Sequence, residues 1–351
     1  MKNKLRKIFV GILLASFVFS SAACSSGKNV AIKVYNWGDY IDESVIKDFE
    51  DRYGISVIYD TFTTNEDMYI KIKAGGDNYD VAFPSDYMIK RMIKEDLIQK
   101  IDMDNIPNYR YIDGRFKNLP YDPKNEYSVP YMWGTVGILY NKKMVNGPVD
   151  SWKVLWDPRY KKQILMQDSQ RDGIGIKLKM LGYSLNTRNT DELEAAKNAL
   201  IQQKPLVLAY VVDEVKDKMI GNEAALAVVW SGDAVFCKRE NKDPGYAVPK
   251  EGSNLWFDCM VIPKSSKHKK EAEMFINYMC ETDVALKNTQ FIGYSTPHTG
   301  AMKKLDPEVF NDRTAYPPEE DLKNCEVYED LSDSLKEYDR IWTEVKAKQP
   351  Y

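Results

Sequence analysis

Carboxylates recur beside indole and phenol rings along this chain, in Trp37-Gly38-Asp39-Tyr40, Pro84-Ser85-Asp86-Tyr87, Trp230-Ser231-Gly232-Asp233 and Trp256-Phe257-Asp258. Asp168-Ser169-Gln170-Arg171-Asp172 adds a pair of acids interrupted by an arginine, and Ile292-Gly293-Tyr294-Ser295-Thr296-Pro297 adds a Gly/Pro turn with hydroxyls but no acid. A site for an anion would gather Arg and Lys around helix N-termini. Acids mixed with flat apolar rings suit an organic cation, through charge-assisted hydrogen bonds and cation–π contact. A linear polyamine matches both parts of this lining, since its ammonium groups need carboxylates and its methylenes need flat walls.

Several acids in and beside these segments have a simpler explanation. Asp42, Asp86 and Asp233 each stand just before an expected helix, where an N-cap contributes about 1 kcal/mol. Single tryptophans such as Trp37, Trp230 and Trp256 are as readily core residues as ligand walls. Asp258 differs, because it sits in the apolar run Trp256-Phe257-Asp258-Cys259-Met260-Val261-Ile262 with no helix start to cap. A lone buried carboxylate is unfavourable, so Asp258 implies a cationic partner, either a ligand or an internal Lys or Arg.

Catalysis finds little support. Cys259 beside Asp258, with His298 far along the chain, is the only candidate nucleophile and base, and it lacks a local signature. No GxxxxGK loop or HExxH helix is present. The only histidines, His268 and His298, argue against a multi-histidine metal centre. The chain therefore reads as a binding protein that is not an enzyme and needs no cofactor or metal.

The elements that must position these residues alternate between short apolar runs and segments of helical period, the rhythm of an α/β fold with largely parallel strands. Strands are expected at 31–36, 55–59, 79–83, 163–167 and 224–230, and helices at 42–53, 66–74, 88–95, 175–181, 191–202, 271–281 and 330–346. The β-α-β-α-β order recurs after mid-chain, which implies two α/β lobes. The segments 131–140 and 256–263 are the expected crossings between them. In open α/β sheets ligands bind beyond the carboxyl ends of strands, where the acid and aromatic clusters lie.

At the N-terminus, Lys2, Lys4, Arg6 and Lys7 precede an apolar run of about a dozen residues, Ile8 to Phe19, and small residues leading to Cys24. This is an export signal, residues 1–23, too short to serve as a membrane span of roughly twenty residues. The segment around Cys24 resembles a lipoprotein processing site, with Ser21 where such sites usually carry Leu. It implies lipidation of Cys24 and a linker over 24–30. Removing the signal takes away four basic and no acidic residues from a chain of net charge −3, leaving an acidic surface that repels nucleic acid. Cys237, Cys259, Cys280 and Cys325 remain, and their pairing state is open, either one of three disulfide connectivities or free thiols.

Tyr35-Asn36-Trp37-Gly38-Asp39-Tyr40, Pro84-Ser85-Asp86-Tyr87, Ser128-Val129-Pro130-Tyr131-Met132-Trp133-Gly134, Leu181-Gly182-Tyr183-Ser184, Trp256-Phe257-Asp258 and Ile292-Gly293-Tyr294-Ser295-Thr296-Pro297 resemble the spermidine/putrescine-binding proteins of polyamine ABC importers. The resemblance runs in order over nearly the whole mature chain. It implies the type II periplasmic-binding-protein fold, two α/β lobes joined by a hinge and closing on an interlobe cleft. The implied division places 31–133 and 261–303 in the first lobe and 134–260 and 304–351 in the second. By the same resemblance Trp37, Tyr40, Ser85 and Tyr87 contact the ligand from the first lobe, Asp172 and Trp230 from the second, and Trp256, Asp258 and Tyr294 from the crossing and beyond. Asp258 would hold an inner amine, Asp172 a terminal amine and Asp39 the opposite end, with Trp and Tyr rings along the methylenes.

This chain departs from the family pattern at Ser169, where some members carry an acid, and at Tyr328, where relatives usually carry Gln. Asp168 is a possible substitute for the acid missing at 169. Both departures fall where chain length and amine count would be read, so the choice between spermidine and putrescine stays open. The implied partners are the polyamine, the ABC permease and a lipid anchor, with the protein a monomer on the outer face of the membrane. The alternatives are a same-fold binder of another cationic small solute, or a polyamine sensor.

Overall fold

The computed structural model describes residues 30–348. The export signal and Cys24 lie outside them. No helix among the described residues is long and apolar enough to cross a membrane.

Ten strands form one continuous hydrogen-bonded sheet that bends through both lobes. They are β1 (Ala31–Trp37), β2 (Ser56–Phe62), β3 (Val81–Ala82), β4 (Ile98–Gln99), β5 (Ser128–Asn141), β6 (Ile164–Gln167), β7 (Val207–Val211), β8 (Leu226–Trp230), β9 (Pro244–Ala247) and β10 (Leu255–Pro263), in the order β2-β1-β3-β10-β5-β8-β6-β7, with β4 on β10 and β9 on β5. Within each lobe the strands run parallel as expected, β1 beside β2 and β3, and β6 beside β7 and β8. The crossings correct the expectation of a largely parallel sheet: β10 is antiparallel to β3 and β5, and β5 is antiparallel to β8. A chain that crosses a hinge and later returns runs against its outgoing strand, and strand alternation along the sequence cannot express that direction.

The residues 128–135 of β5 pair with β10, whereas 136–141 pair with β8 and β9, so one strand serves both lobes. Its apolar run is buried along nearly its full length, as a strand covered on both faces should be. Between Asp258 and Cys259 the β5–β10 register slips: Asp258 faces Met132 but Cys259 faces Pro130, leaving Tyr131 as the extra residue of a bulge. Pro130 lacks an N–H for a regular ladder, and bulges re-aim neighbouring side chains.

Helix α1 (Glu43–Tyr53) starts where Asp42 accepts the Ser44 N–H at 2.9 Å and stops at Gly54, whose φ of 65° lies in the left-handed region that glycine reaches without strain. The further helices are α2 (Asn65–Ala74), α3 (Asp86–Lys94), α4 (Gln170–Leu181), α5 (Thr190–Gln203), α6 (Val215–Ile220), α7 (Ser231–Glu240), α8 (Lys269–Met279) and α9 (Thr282–Ile292). After β10 the chain returns to the first lobe. There Phe275 packs edge-on to Phe49 at 5.1 Å and Tyr278 donates to the Val45 carbonyl at 3.0 Å. The C-terminal helix Leu335–Ala347 packs on α4 and α5 of the second lobe, burying Tyr338, Ile341 and Val345 against Ile174, Leu193 and Leu200. Gly173 is required there, since a Cβ would lie 2.6 Å from the Trp342 ring.

Candidate functional site

Asp258 lies on β10 at the bulge, where the strand passes the start of α3. Its side chain is 6% exposed. One carboxyl oxygen accepts the Tyr40 hydroxyl at 2.7 Å and the other the Ser85 hydroxyl at 2.6 Å. Ser85 is held in turn by Asn65, which donates to its Oγ and accepts its N–H, both at 3.0 Å. No Lys or Arg among the described residues forms an ion pair with Asp258, and burial raises its pKa to about 6 against the pull of the two hydroxyls. The acid is thus desolvated and only partly compensated, the state expected of a carboxylate awaiting a cation.

A second acid sits on α4. Ser169 is the N-cap, and its Oγ accepts the Asp172 N–H at 3.4 Å while donating to Asp172 Oδ2 at 2.8 Å. Tyr328 donates to Asp172 Oδ1 at 3.0 Å. Ser169 and Tyr328, the departures from the family pattern, therefore both act on Asp172. Burial raises the Asp172 pKa despite these bonds and the neighbouring Arg171. Arg171 itself is tied to the Glu329 carbonyl and Asn186 Oδ1, with its guanidinium 4.2 Å above the Tyr328 ring and 5.2 Å above Tyr87. Tyr87, from the first lobe, meets Tyr328 perpendicularly at 6.1 Å and donates to Glu66 at 3.0 Å. The carboxylate of Asp168, the suggested substitute for an acid at 169, pairs with Lys346 at 2.8 Å.

Aromatic rings join these acids. Tyr294 stands edge-on to Tyr40 at 5.4 Å and to Trp256 at 5.1 Å, and Tyr40 stands edge-on to Tyr131 at 5.4 Å. Trp256 faces Gly134, where a Cβ would lie 2.5 Å from the indole, and its Nε1 is buried without a partner. Tyr294 packs on Gly232 so closely that a Cβ there would lie 1.6 Å from the ring. Trp37 ends β1 with its ring 4.5 Å from Phe62 and its Nε1 donating to the Phe83 carbonyl at 2.9 Å. Trp230 is half-buried at the end of β8, opposite Val136 and directly before α7.

Asp39 occupies a left-handed turn position with φ of 51°. Its carboxylate pairs with Lys216 at 3.2 Å and is 76% exposed. The structure thus brings Tyr40, Ser85, Trp256, Asp258 and Tyr294 into one cluster and Tyr87, Ser169, Asp172 and Tyr328 into an adjoining one, with Asp39 turned to a lysine.

Of the suspected caps, Asp42 is one. Asp86 and Asp233 are not, since they lie within the first turns of α3 and α7. Asp86 joins α3 to the crossing strand by accepting the Phe257 N–H at 3.0 Å, and burial raises its pKa to about 8. The four cysteines are free thiols. Cys259 is buried against the Tyr121 hydroxyl, and desolvation raises its pKa well above the ordinary thiol range, which disfavours a nucleophilic thiolate. His298 is a structural cap, its Nδ1 accepting the Ala301 N–H and its Nε2 contacting the Cys280 carbonyl. No group of three or more His, Cys, Asp or Glu side chains among the described residues is arranged to hold a metal.

Glu66 and Asn65 were missed by sequence reasoning. Glu66 raises the Asp172 pKa across the lobes, which places its negative charge nearby. The signal available was their position at the start of α2, just after the carboxyl end of β2.

The model of the bacterial extracellular solute-binding protein family matches residues 44–318. A spermidine/putrescine-binding periplasmic protein of Escherichia coli is 37% identical over 328 residues, 93% of this chain and 94% of that protein. A solved structure from Listeria monocytogenes, assigned to a spermidine/putrescine ABC transporter, is 45% identical with a TM-score of 0.88, covering 91% of this chain and 99% of the other. A lipoprotein of Treponema pallidum is 29% identical with a TM-score of 0.81, covering 90% and 99%.

Proposed function

Because the chain belongs to the bacterial extracellular solute-binding protein family, we propose that it captures a polyamine, spermidine or putrescine, in the interlobe cleft and delivers it to an ABC permease. The observation that carries this reading is Asp258, a buried carboxylate bonded by hydroxyls from Tyr40 and Ser85, flanked by rings and unpaired with any cation of the described chain. An ammonium group there would gain an ionic hydrogen bond in a dry setting, where such bonds are strong. Asp172, with Tyr328 and Ser169, would take a second ammonium, and Trp37, Tyr40, Tyr87, Trp230, Trp256 and Tyr294 would cover the methylenes.

Ligand groups on both lobes make closure favourable, because a ligand shifts the open–closed equilibrium only through contacts it gains in one state. The lobes would divide at 133/134, 260/261 and 303/304. The protein would act as a monomer held to the outer face of the membrane by lipidated Cys24, without cofactor or catalysis. Similarity to a family member that is itself a lipoprotein supports the anchor. Calorimetric titration of the mature chain from Ser25 with putrescine, spermidine, spermine, an amino acid and a sugar tests the reading. Saturable heat with the polyamines is expected, and heat only with the last two would overturn it.

A further inference from the structure

Lys216 is a cation built into the cleft. It stands on α6 in the second lobe, with its side chain 17% exposed. Its Nζ reaches Asp39 of the first lobe at 3.2 Å and Asp213 at 3.8 Å. Asp233, buried at the start of α7, lies close enough that Lys216 opposes the rise in its pKa, which burial drives to about 7. Burial alone would lower the Lys216 pKa, yet Asp233, Asp39 and Asp213 together lift it above the ordinary lysine value. Its Nζ also lies 5.8 Å from the centroid of the Phe236 ring. Carboxylates from both lobes thus converge on one ammonium group, Asp39 and Asp213 from the solvent side and Asp233 from the buried side.

This cluster adjoins the ligand cleft. Tyr294 feels both Asp233 and Asp258 and its ring lies on Gly232, next to Asp233. Asp39 is the neighbour of Tyr40, whose hydroxyl holds Asp258. Asp172, Asp258 and the Asp39–Asp213–Asp233 group therefore form successive acidic stations, and the last is filled by the chain itself.

We propose that Lys216 is a specificity-determining residue, whose ammonium occupies the acidic station that a ligand's additional ammonium would otherwise take, so that the cleft favours a diamine over a triamine. The inference rests on the polyamine reading above. A triamine engaging Asp172, Asp258 and the Asp39 group must displace Lys216 or place two like charges together. A diamine spanning Asp172 and Asp258 meets neither obstacle.

The test is titration of wild type, Lys216→Met and Lys216→Arg with putrescine and with spermidine at pH 7.5, with thermal melts to confirm folding. Methionine keeps an unbranched side chain of similar length and removes the charge. Lys216→Met is expected to raise the ratio of spermidine to putrescine affinity by at least about tenfold, with Lys216→Arg keeping the wild-type ratio. An unchanged ratio in Lys216→Met overturns the inference, including the case in which both affinities fall together, which would make Lys216 only a latch between lobes. Failure of the wild type to bind either polyamine overturns the polyamine reading itself, and this inference with it.

Discussion

Replacing Asp258 by Asn separates the binding role of this residue from any structural one. The substitution keeps the shape and leaves one oxygen to accept one of the two hydroxyls, Tyr40 or Ser85, now at 2.7 and 2.6 Å on separate carboxyl oxygens, while the amide NH2 donates to the other hydroxyl, so the bulge and the cluster should survive. What disappears is the charge. Burial raises the Asp258 pKa from 3.8 to about 6 in the folded protein. The folded state therefore holds a proton that the unfolded chain releases between these values, and stability falls as pH rises through that window. Above it the ionised side chain destabilises the fold by on the order of 3 kcal/mol, using 1.36 kcal/mol per tenfold change in acidity. Asn removes that penalty, so thermal melting at pH 7.5 should show a midpoint equal to or a few degrees above wild type. Calorimetry at the same pH should show polyamine affinity lower by roughly a hundredfold or more, the loss expected when one partner of a buried ionic hydrogen bond is removed. Near-wild-type affinity would refute the assignment of Asp258 as the ammonium acceptor. A midpoint well below wild type would refute the argument that its charge opposes folding.

Affinity should also depend on pH in the acid range. Below about pH 6 the ligand must displace a proton from Asp258, so the dissociation constant should rise by up to about tenfold per pH unit and level off above pH 6 to 7. Titrations from pH 5 to 7.5 that give one constant would contradict this. Gly232→Ala should leave each lobe folded but obstruct closure, because its Cβ would lie 1.6 Å from Tyr294. Binding weaker by about tenfold or more is expected, and solution scattering should show a larger radius of gyration with ligand than for ligand-bound wild type. Lys177 is only 3% exposed, with its ammonium 4.0 Å from the Trp156 ring and 3.5 Å from Met180 Sδ, and burial lowers its pKa to about 8. Its charged form therefore opposes folding, and wild-type stability should rise with pH from about 8 to 10.5. Lys177→Met should stabilise the protein at pH 7 by on the order of 1–3 kcal/mol, read as a higher melting midpoint, and a lower midpoint would refute this.

Elements that depend on nearby residues were legible in the sequence. The run Ala31–Asn36 becomes β1, Asp42 caps α1 and Gly54 ends it, and the periodic segments at 191–202 and 271–281 become α5 and α8 within a few residues. Asp258 was singled out because an acid inside an apolar strand without a helix to cap is a local contradiction, and the structure finds it buried without an internal cation. Each signal is complete within a few turns or strand steps, so the order of residues suffices to express it.

Tertiary structure decided what distant segments do to one another. The short strands β4 and β9 exist only through their partners β10 and β5. The antiparallel direction of the crossings follows from the chain's return. Asp168 is neutralised by Lys346 and Asp39 by Lys216, 177 residues away in the sequence. Glu66 comes near enough to Asp172 to help raise its pKa, and four thiols stay unpaired. A carboxylate's role depends on which charge the folded chain carries to it and on how much water remains. The sequence therefore supplied the acids and rings, and the meeting of distant segments set which acids are paired with a cation of the chain and which are not.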